Sequence, residues 1–179
     1  MPVSMQCELR STRARALAAE LELRAQRMLV ALRLAQAELS IVFCGDATIH
    51  RLNASFRGID KPTDVLAFAQ GEQLAVPSAR ERAPVLGDIV LSLPTATRQA
   101  REKRREVLDE LTMLLAHGLL HLLGIDHRTK TEWRRMQART DLLRMSAISR
   151  GRPVGNRGRR SPGRSQARRM SPKSHNLYM

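Results

Sequence analysis

Three of the five histidines in this 179-residue chain fall within one short run, HGLLHLLGIDH, from His117 to His127. His117 and His121 are four apart, so on a helix they project from one face, one turn from each other. Leu114, Leu115, Leu119, Leu120, Leu122 and Leu123 surround them. An imidazole in so apolar a segment needs a partner for each ring nitrogen. A metal ion satisfies one nitrogen, and a neighbouring acceptor satisfies the other. Gly124 lets the chain leave the helix with positive φ and swing His127 back toward the first two. Three nitrogen ligands with an open fourth position are the layout of a catalytic zinc site. Neutral ligands also leave the ion its full charge for acidifying water. One zinc ion is therefore the expected cofactor, although three imidazoles also accept nickel or copper.

A bare HxxxH pair is usually structural, but a third histidine after the LLGID turn makes the spacing HxxxHxxGxxH. That is the metzincin zinc pattern with one change. Gly118 stands where the peptidase carries its glutamate, the general base of peptide hydrolysis. The spacing points to a metal, and Gly118 argues against a zinc peptidase.

These residues need elements to position them. Residues 12 to 36 read as an amphipathic helix, with Leu17, Leu21, Ala25, Met28 and Leu32 at steps of three and four. A strand is expected from Leu39 to Cys44, then a helix with Asp46 as N-cap, a buried stripe of Ile49, Leu52 and Phe56, and Gly58 at its end. DVLAFA reads as a second strand, the polar segment GEQLAVPSARERAP as a loop, and Leu86 to Leu93 as a third strand. Pro94 opens a helix. The apolar helix with the histidines runs from Val107 to Leu123. A capping box, Thr129 with Glu132, starts a last helix to about Met145, with Trp133 and Met136 to dock it. The expected fold is α+β: one small mixed sheet of about three or four strands, packed with about five helices. The metal site lies on the central apolar helix and the turn after it.

Three blocks resemble the YbeY family, bacterial metal-dependent endoribonucleases of ribosomal RNA maturation. HGLLHLLGIDH is similar to its HGxLHLxGYDH signature. LNASFRGIDKPTDVLAF, Leu52 to Phe68, is similar to its LNxxYRgxdxpTDVLSF block, and LGDIVLSLPTATRQA to its GDIxIS segment and the following helix. The blocks come in the family's order and cover roughly residues 35 to 145. Ile125, Ala67 and Ala69 depart from the family's Tyr, Ser and Pro. The resemblance implies a zinc-dependent single-strand endoribonuclease acting in ribosomal RNA processing, 16S 3′-end maturation and ribosome quality control. Its partners would be RNA and the small ribosomal subunit. A non-catalytic ribosome-assembly factor with a structural zinc is the alternative, and a metzincin-like peptidase the third.

Arg57 closes the second helix, where an arginine is commonly a C-terminal cation. The resemblance makes it catalytic, because the arginine of the family's YRG segment lines the cleft near the metal. A guanidinium fork suits a phosphodiester that gathers negative charge. Asp126 is open to three readings: a fourth ligand, an acceptor for an imidazole N–H, or a turn residue. Asp64 and Asp88 each precede a strand and pin loops, and His50 lies on a solvated face.

Composition bounds the rest. Apolar residues make up 42% of the chain and aromatics only 3%, so aliphatic side chains must fill the core. No aromatic pair of the RRM type is seen, so single-strand stacking has only weak support from sequence. Lysine and arginine number 31 against 17 acids, a net +14, and every acid lies at or before Asp141. The chain divides into a metal-dependent ribonuclease domain, 1–149, and a basic tail, 150–179, rich in Arg, Gly, Ser and Pro and expected to be disordered. Such a tail attracts phosphate without a fold, or serves only solubility. Two cysteines provide no disulfide framework. Charges interrupt any candidate signal peptide, and no uncharged run spans a bilayer, so a cytoplasmic protein is expected.

Overall fold

The computed structural model describes residues 3–70, 83–126 and 129–148. Most of the loop expected after the second strand, the third histidine (His127) and the basic tail lie outside them. The elements are β1 (Val3–Cys7), α1 (Thr12–Ala31), β2 (Glu38–Cys44), α2 (Asp46–Arg57), β3 (Val65–Ala69), β4 (Val85–Ser92), α3 (Leu93–Glu102), α4 (Val107–Leu122) and α5 (Lys130–Ile148). The expected α+β class holds, with one four-stranded mixed sheet and five helices among the described residues. No helix among the described residues is long and apolar enough to cross a membrane.

The sheet order is β1-β2-β4-β3. β1 and β4 flank β2 in parallel, and β3 pairs antiparallel with β4. β1 was not anticipated: its alternation of Val3, Met5 and Cys7 with Ser4 and Gln6 is short and sits at the sheet edge. Strand alternation sorts the core into two clusters. Ile41, Phe43, Ile89 and Leu91 join Leu21, Ala25 and Met28 of α1, Leu115 and Leu119 of α4, and Met136 and Leu143 of α5. Val42, Leu66, Phe68 and Val90 meet Ile49 and Leu52 of α2. Cys44 belongs to this second cluster, where burial, then the nearby Glu8, pushes its thiol up to about 11.

Several local expectations are corrected. α1 stops at Ala31, because Arg33 turns left-handed at φ 62° and its N–H closes on Val30 while that of Leu34 closes on Leu29. Gly45, not Asp46, is the N-cap of α2. Asp46 is the first helical residue, and its carboxylate accepts from Ser92 Oγ at 2.5 Å, Thr95 Oγ1 at 2.7 Å and Arg98 Nη1 at 2.8 Å. Phe56 is not part of a buried stripe but is 68% exposed. Asp88 lies inside β4 rather than before it. His50 lies on a solvated face as expected, its Nε2 in an exposed contact 2.7 Å from Asp60 Oδ1.

Candidate metal centre

α4 carries the histidines, and its buried face explains their position. Leu111, Leu115 and Leu119 sink into the first core cluster. Arg24 of α1 donates from Nη1 to Thr112 Oγ1 at 2.8 Å and to Asp109 Oδ1 at 3.3 Å, pinning the N-terminal part of the helix. Gly118 sets how closely α4 approaches the sheet. A Cβ there would lie 3.2 Å from Ile89 Cγ2 and 3.3 Å from Val65 Cγ2, tighter than ordinary packing. A side chain at this position would require Ile89 and Val65 to give by a few tenths of an ångström.

With α4 held down, His117 and His121 are half-buried and their Nε2 atoms converge to 3.2 Å. Two nitrogens on one tetrahedral zinc, at the usual bond length, lie about 3.3–3.4 Å apart. The pair therefore fits a shared ion as it stands. Behind His121, Asp126 Oδ1 lies 3.9 Å from Nδ1, on the side of the ring away from His117. Of the three readings of Asp126, this placement favours one that orients the imidazole. Gly124 adopts φ 73°. Its N–H bonds His121 O at 2.9 Å, and that of Ile125 bonds Leu120 O at 3.0 Å, a Schellman turn that stops α4 after the second histidine. Among the described residues no group of three or more His, Cys, Asp or Glu converges to hold a metal ion. The third expected ligand, His127, is outside that set. α5 begins immediately beyond, at the expected capping box: Thr129 N–H donates to Glu132 Oε2, and Glu132 N–H to Thr129 Oγ1.

The imidazoles open into a cleft of about 1040 Å³ whose lining also includes Arg57, at the exposed C-terminus of α2. Gly58, left-handed at φ 66°, ends that helix as expected. Buried Asn53 donates from Nδ2 to Lys61 O at 2.8 Å and so clips down the turn that follows. Asp64 pins the start of β3 as expected, accepting from Val65 N–H and from Gln99 Nε2, both at 2.8 Å. The structure thus brings Arg57 and two of the three expected ligands to one cavity.

Other cleft residues escaped the sequence reading. Lys103 and Arg105 line it, held by the fully buried carboxylate of Glu110 at 2.5 Å and 3.6 Å. A buried carboxylate is costly without such partners, and the only trace in sequence is the charge run EKRRE. Three aromatic residues, Phe56, Phe68 and Trp133, line the same cleft. Trp133 is not a docking residue for α5 but 44% exposed, edge-on to His117 with ring centroids 6.3 Å apart. Met136 does the docking.

A mixed four-stranded sheet under an apolar helix, with paired imidazoles opening on a cleft lined by charges of both signs, defines an α+β protein built around a candidate metal centre. The family model for endoribonuclease YbeY matches residues 5–146. An endoribonuclease YbeY of Anaeromyxobacter sp. (strain Fw109-5) is 46% identical over 148 residues, 79% of this chain and 74% of the relative. One from Gloeobacter violaceus is 52% identical over 99 residues, 55% of this chain and 51% of the relative. The solution structure of a Thermotoga maritima protein superimposes with a TM-score of 0.53 at 24% identity, covering 81% of this chain and 88% of that one, which supports the fold alone. The chain belongs to the endoribonuclease YbeY family.

Proposed function

We propose that this chain is a metal-dependent endoribonuclease that cuts single-stranded RNA, with one zinc ion held by His117, His121 and His127. The reading is carried by the convergence of His117 Nε2 and His121 Nε2 to 3.2 Å in a cleft that Arg57 also lines. When bound, the ion would supply Lewis-acid polarisation of a phosphoryl oxygen and a nucleophile at neutral pH.

The remaining roles belong to the chain's own side chains. His117 and His121 present Nε2 to the ion, and Asp126 holds the His121 ring from behind. Arg57 grips a phosphodiester through its planar fork and offsets the negative charge that grows on it during displacement. Lys103 and Arg105, anchored on Glu110, add positive charge along the cleft for the flanking strand. The absence of a carboxylate at 118 deprives peptide hydrolysis of its usual base.

Ribosomal RNA is the proposed substrate and the small ribosomal subunit the proposed partner, in 16S 3′-end maturation and ribosome quality control in the cytoplasm. The endoribonuclease activity is carried across from relatives of that name, and the ribosomal roles are those that the family resemblance implies. Residues 1–149 would form the ribonuclease domain, and the basic segment 150–179 would gather RNA by its charge.

The test is zinc content and RNA cleavage measured on the same preparations of wild type, His117→Ala and Arg57→Ala, with casein as a second substrate. Wild type should hold one zinc and cut single-stranded RNA but not casein. His117→Ala should lose both zinc and cleavage. Arg57→Ala should keep zinc and lose cleavage by about 100-fold or more. Cleavage by metal-free wild type would overturn the mechanism. Proteolysis without RNA cleavage would restore the peptidase, and metal-loaded protein that binds RNA without cutting it would make the chain an assembly factor.

A further inference from the structure

The chain is poor in aromatic side chains: three Phe, one Trp and one Tyr in 179 residues. Phe43 is fully buried in the core, and Tyr178 lies outside the described residues. The other three, Phe56, Phe68 and Trp133, all line the cleft that holds the imidazole pair. They reach it from three separate elements, α2, β3 and α5.

Their exposure is as informative as their location. Phe56 leaves 68% of its surface in solvent, although the apolar cluster formed by Ile49, Leu66 and Val90 lies beneath its own helix. Its ring meets Phe68 edge to face, with centroids 5.0 Å apart and planes at 65°. This contact fixes the ring's orientation without covering it. Phe56 is also the immediate neighbour of Arg57. At the imidazole side, Trp133 stands edge-on to His117 and 44% exposed. A phosphate held at Arg57 would thus lie in the same cleft as an exposed, oriented ring at Phe56 and a second ring at Trp133.

We infer that Phe56, braced by Phe68, and Trp133 are base-stacking positions that restrict this cleft to unpaired nucleotides. The inference rests on the ribonuclease reading for its ligand, RNA, and draws on a placement of aromatic side chains for which support from sequence is only weak. A base paired in a duplex keeps its faces stacked on its neighbours and has none to offer a ring, whereas a splayed single-stranded base does. The platform tolerates sequence, because every base has a π-face. Phe56 and Trp133 thus set which RNA is bound, and the imidazoles and Arg57 what is done to it.

Trp133 is the only tryptophan, so its fluorescence reports directly on its cleft. The full-length protein is titrated with three probes: an unstructured single-stranded RNA, a duplex RNA of the same length, and an abasic ribose-phosphate strand of the same charge. The single strand should quench Trp133 and bind about 5- to 150-fold more tightly than the abasic strand, the range for stacking one base. Phe56→Ala should lower single-strand affinity toward the abasic value while leaving abasic affinity and the salt slope unchanged. Phe56→Trp should restore single-strand affinity. Because Phe56 is largely exposed, its truncation should leave the melting temperature nearly unchanged, so a loss of binding is not a loss of fold.

Equal weakening of single-strand and abasic binding in Phe56→Ala would overturn the inference, as would duplex binding as tight as single-strand binding. A Trp133 response to an apolar unstructured peptide but not to RNA would reassign the cleft to a protein ligand. The two readings fail separately. Cleavage that persists with unaltered single-strand affinity in Phe56→Ala refutes stacking alone. Tight, base-dependent binding by a protein that never cleaves refutes the nuclease alone.

Discussion

Asp46→Ala should destabilise the protein by about 3 kcal/mol at neutral pH, and the loss should fade in acid. α2 fully buries only Ile49 and Asn53, so its polar anchor at Asp46 carries an unusual share of its docking. Ser92, completely buried, donates to the carboxylate at 2.5 Å while its Oγ also caps α3 by accepting from Thr95 N–H. That charge-assisted bond is worth about 1.5–3 kcal/mol. The half-buried Thr95 adds about 1 kcal/mol, exposed Arg98 about 0–1, and a negative charge in the first turn of α2 about 0.3–1. Desolvation of the carboxylate offsets part of the sum. In a chain of this size each kcal/mol lowers Tm by about 2–4 °C, so a drop of about 6–12 °C is expected. Burial works to raise the Asp46 pKa, but the hydrogen bonds from Ser92, Thr95 and Arg98 outweigh it and hold the carboxyl below its ordinary value of 3.8. The stabilisation is therefore complete above that value and lost as pH falls through the lower folded-state value. Thermal melts of wild type and Asp46→Ala at pH 7 and at pH 3 should show the gap narrowing in acid. A gap under about 1 kcal/mol at pH 7, or an equal gap at both pH values, would refute the reasoning.

Arg104→Gly should stabilise the protein by about 0.5–1 kcal/mol, because Arg104 sits at φ 53° in the turn after α3 and a left-handed side chain is strained; a denaturant midpoint that fails to rise counts against it. Cys44, with its thiol pushed up to about 11, should hold about 100-fold less thiolate at pH 8 than an ordinary thiol. Iodoacetamide should then label the half-buried Cys7 first, and equal labelling rates contradict the assignment. Thr129→Ala removes one arm of the capping box at α5 and should cost about 1 kcal/mol. If His127 is the third ligand, the same change two residues away should also weaken zinc affinity, and an unchanged affinity would detach the cap from the site.

What could be read from sequence was local. The four-residue spacing of His117 and His121, the Schellman glycine at 124 and the Thr129–Glu132 box are set by neighbours in the chain, and each appears where its residues point. The expected Asp46 cap failed because its partners, Ser92 and Thr95, are distant in sequence and compete for the same carboxylate. Phe56 failed for the reverse reason: its spacing from Ile49 and Leu52 suits a buried stripe, but the helix turns that position past the edge of the second cluster. Lys103, Arg105 and Trp133 join the cleft only through tertiary packing, so their residue types alone could not announce them. Arg57 reached the candidate site through family resemblance rather than through any physical signal of its own.

The parallel flanking of β2 has a consequence for the order in which the molecule is made. Val3 pairs with Leu39, and Leu39 with Gly87, so no tight hairpin can form either ladder. Each must wait while an intervening helix folds back across the sheet, and pairings of such long range are slow to close. His117 and His121 face the opposite situation, since one helical turn brings them together, and turns form in well under a millisecond. During refolding of the full chain the imidazole pair therefore forms before the cleft around it. Arg57 and Phe56 arrive only when β3 and β4 have joined the sheet and given α2 a surface to rest on. A half-folded chain would thus present its two imidazoles before its cleft can select a substrate, and the slow closure of the sheet separates those two events in time.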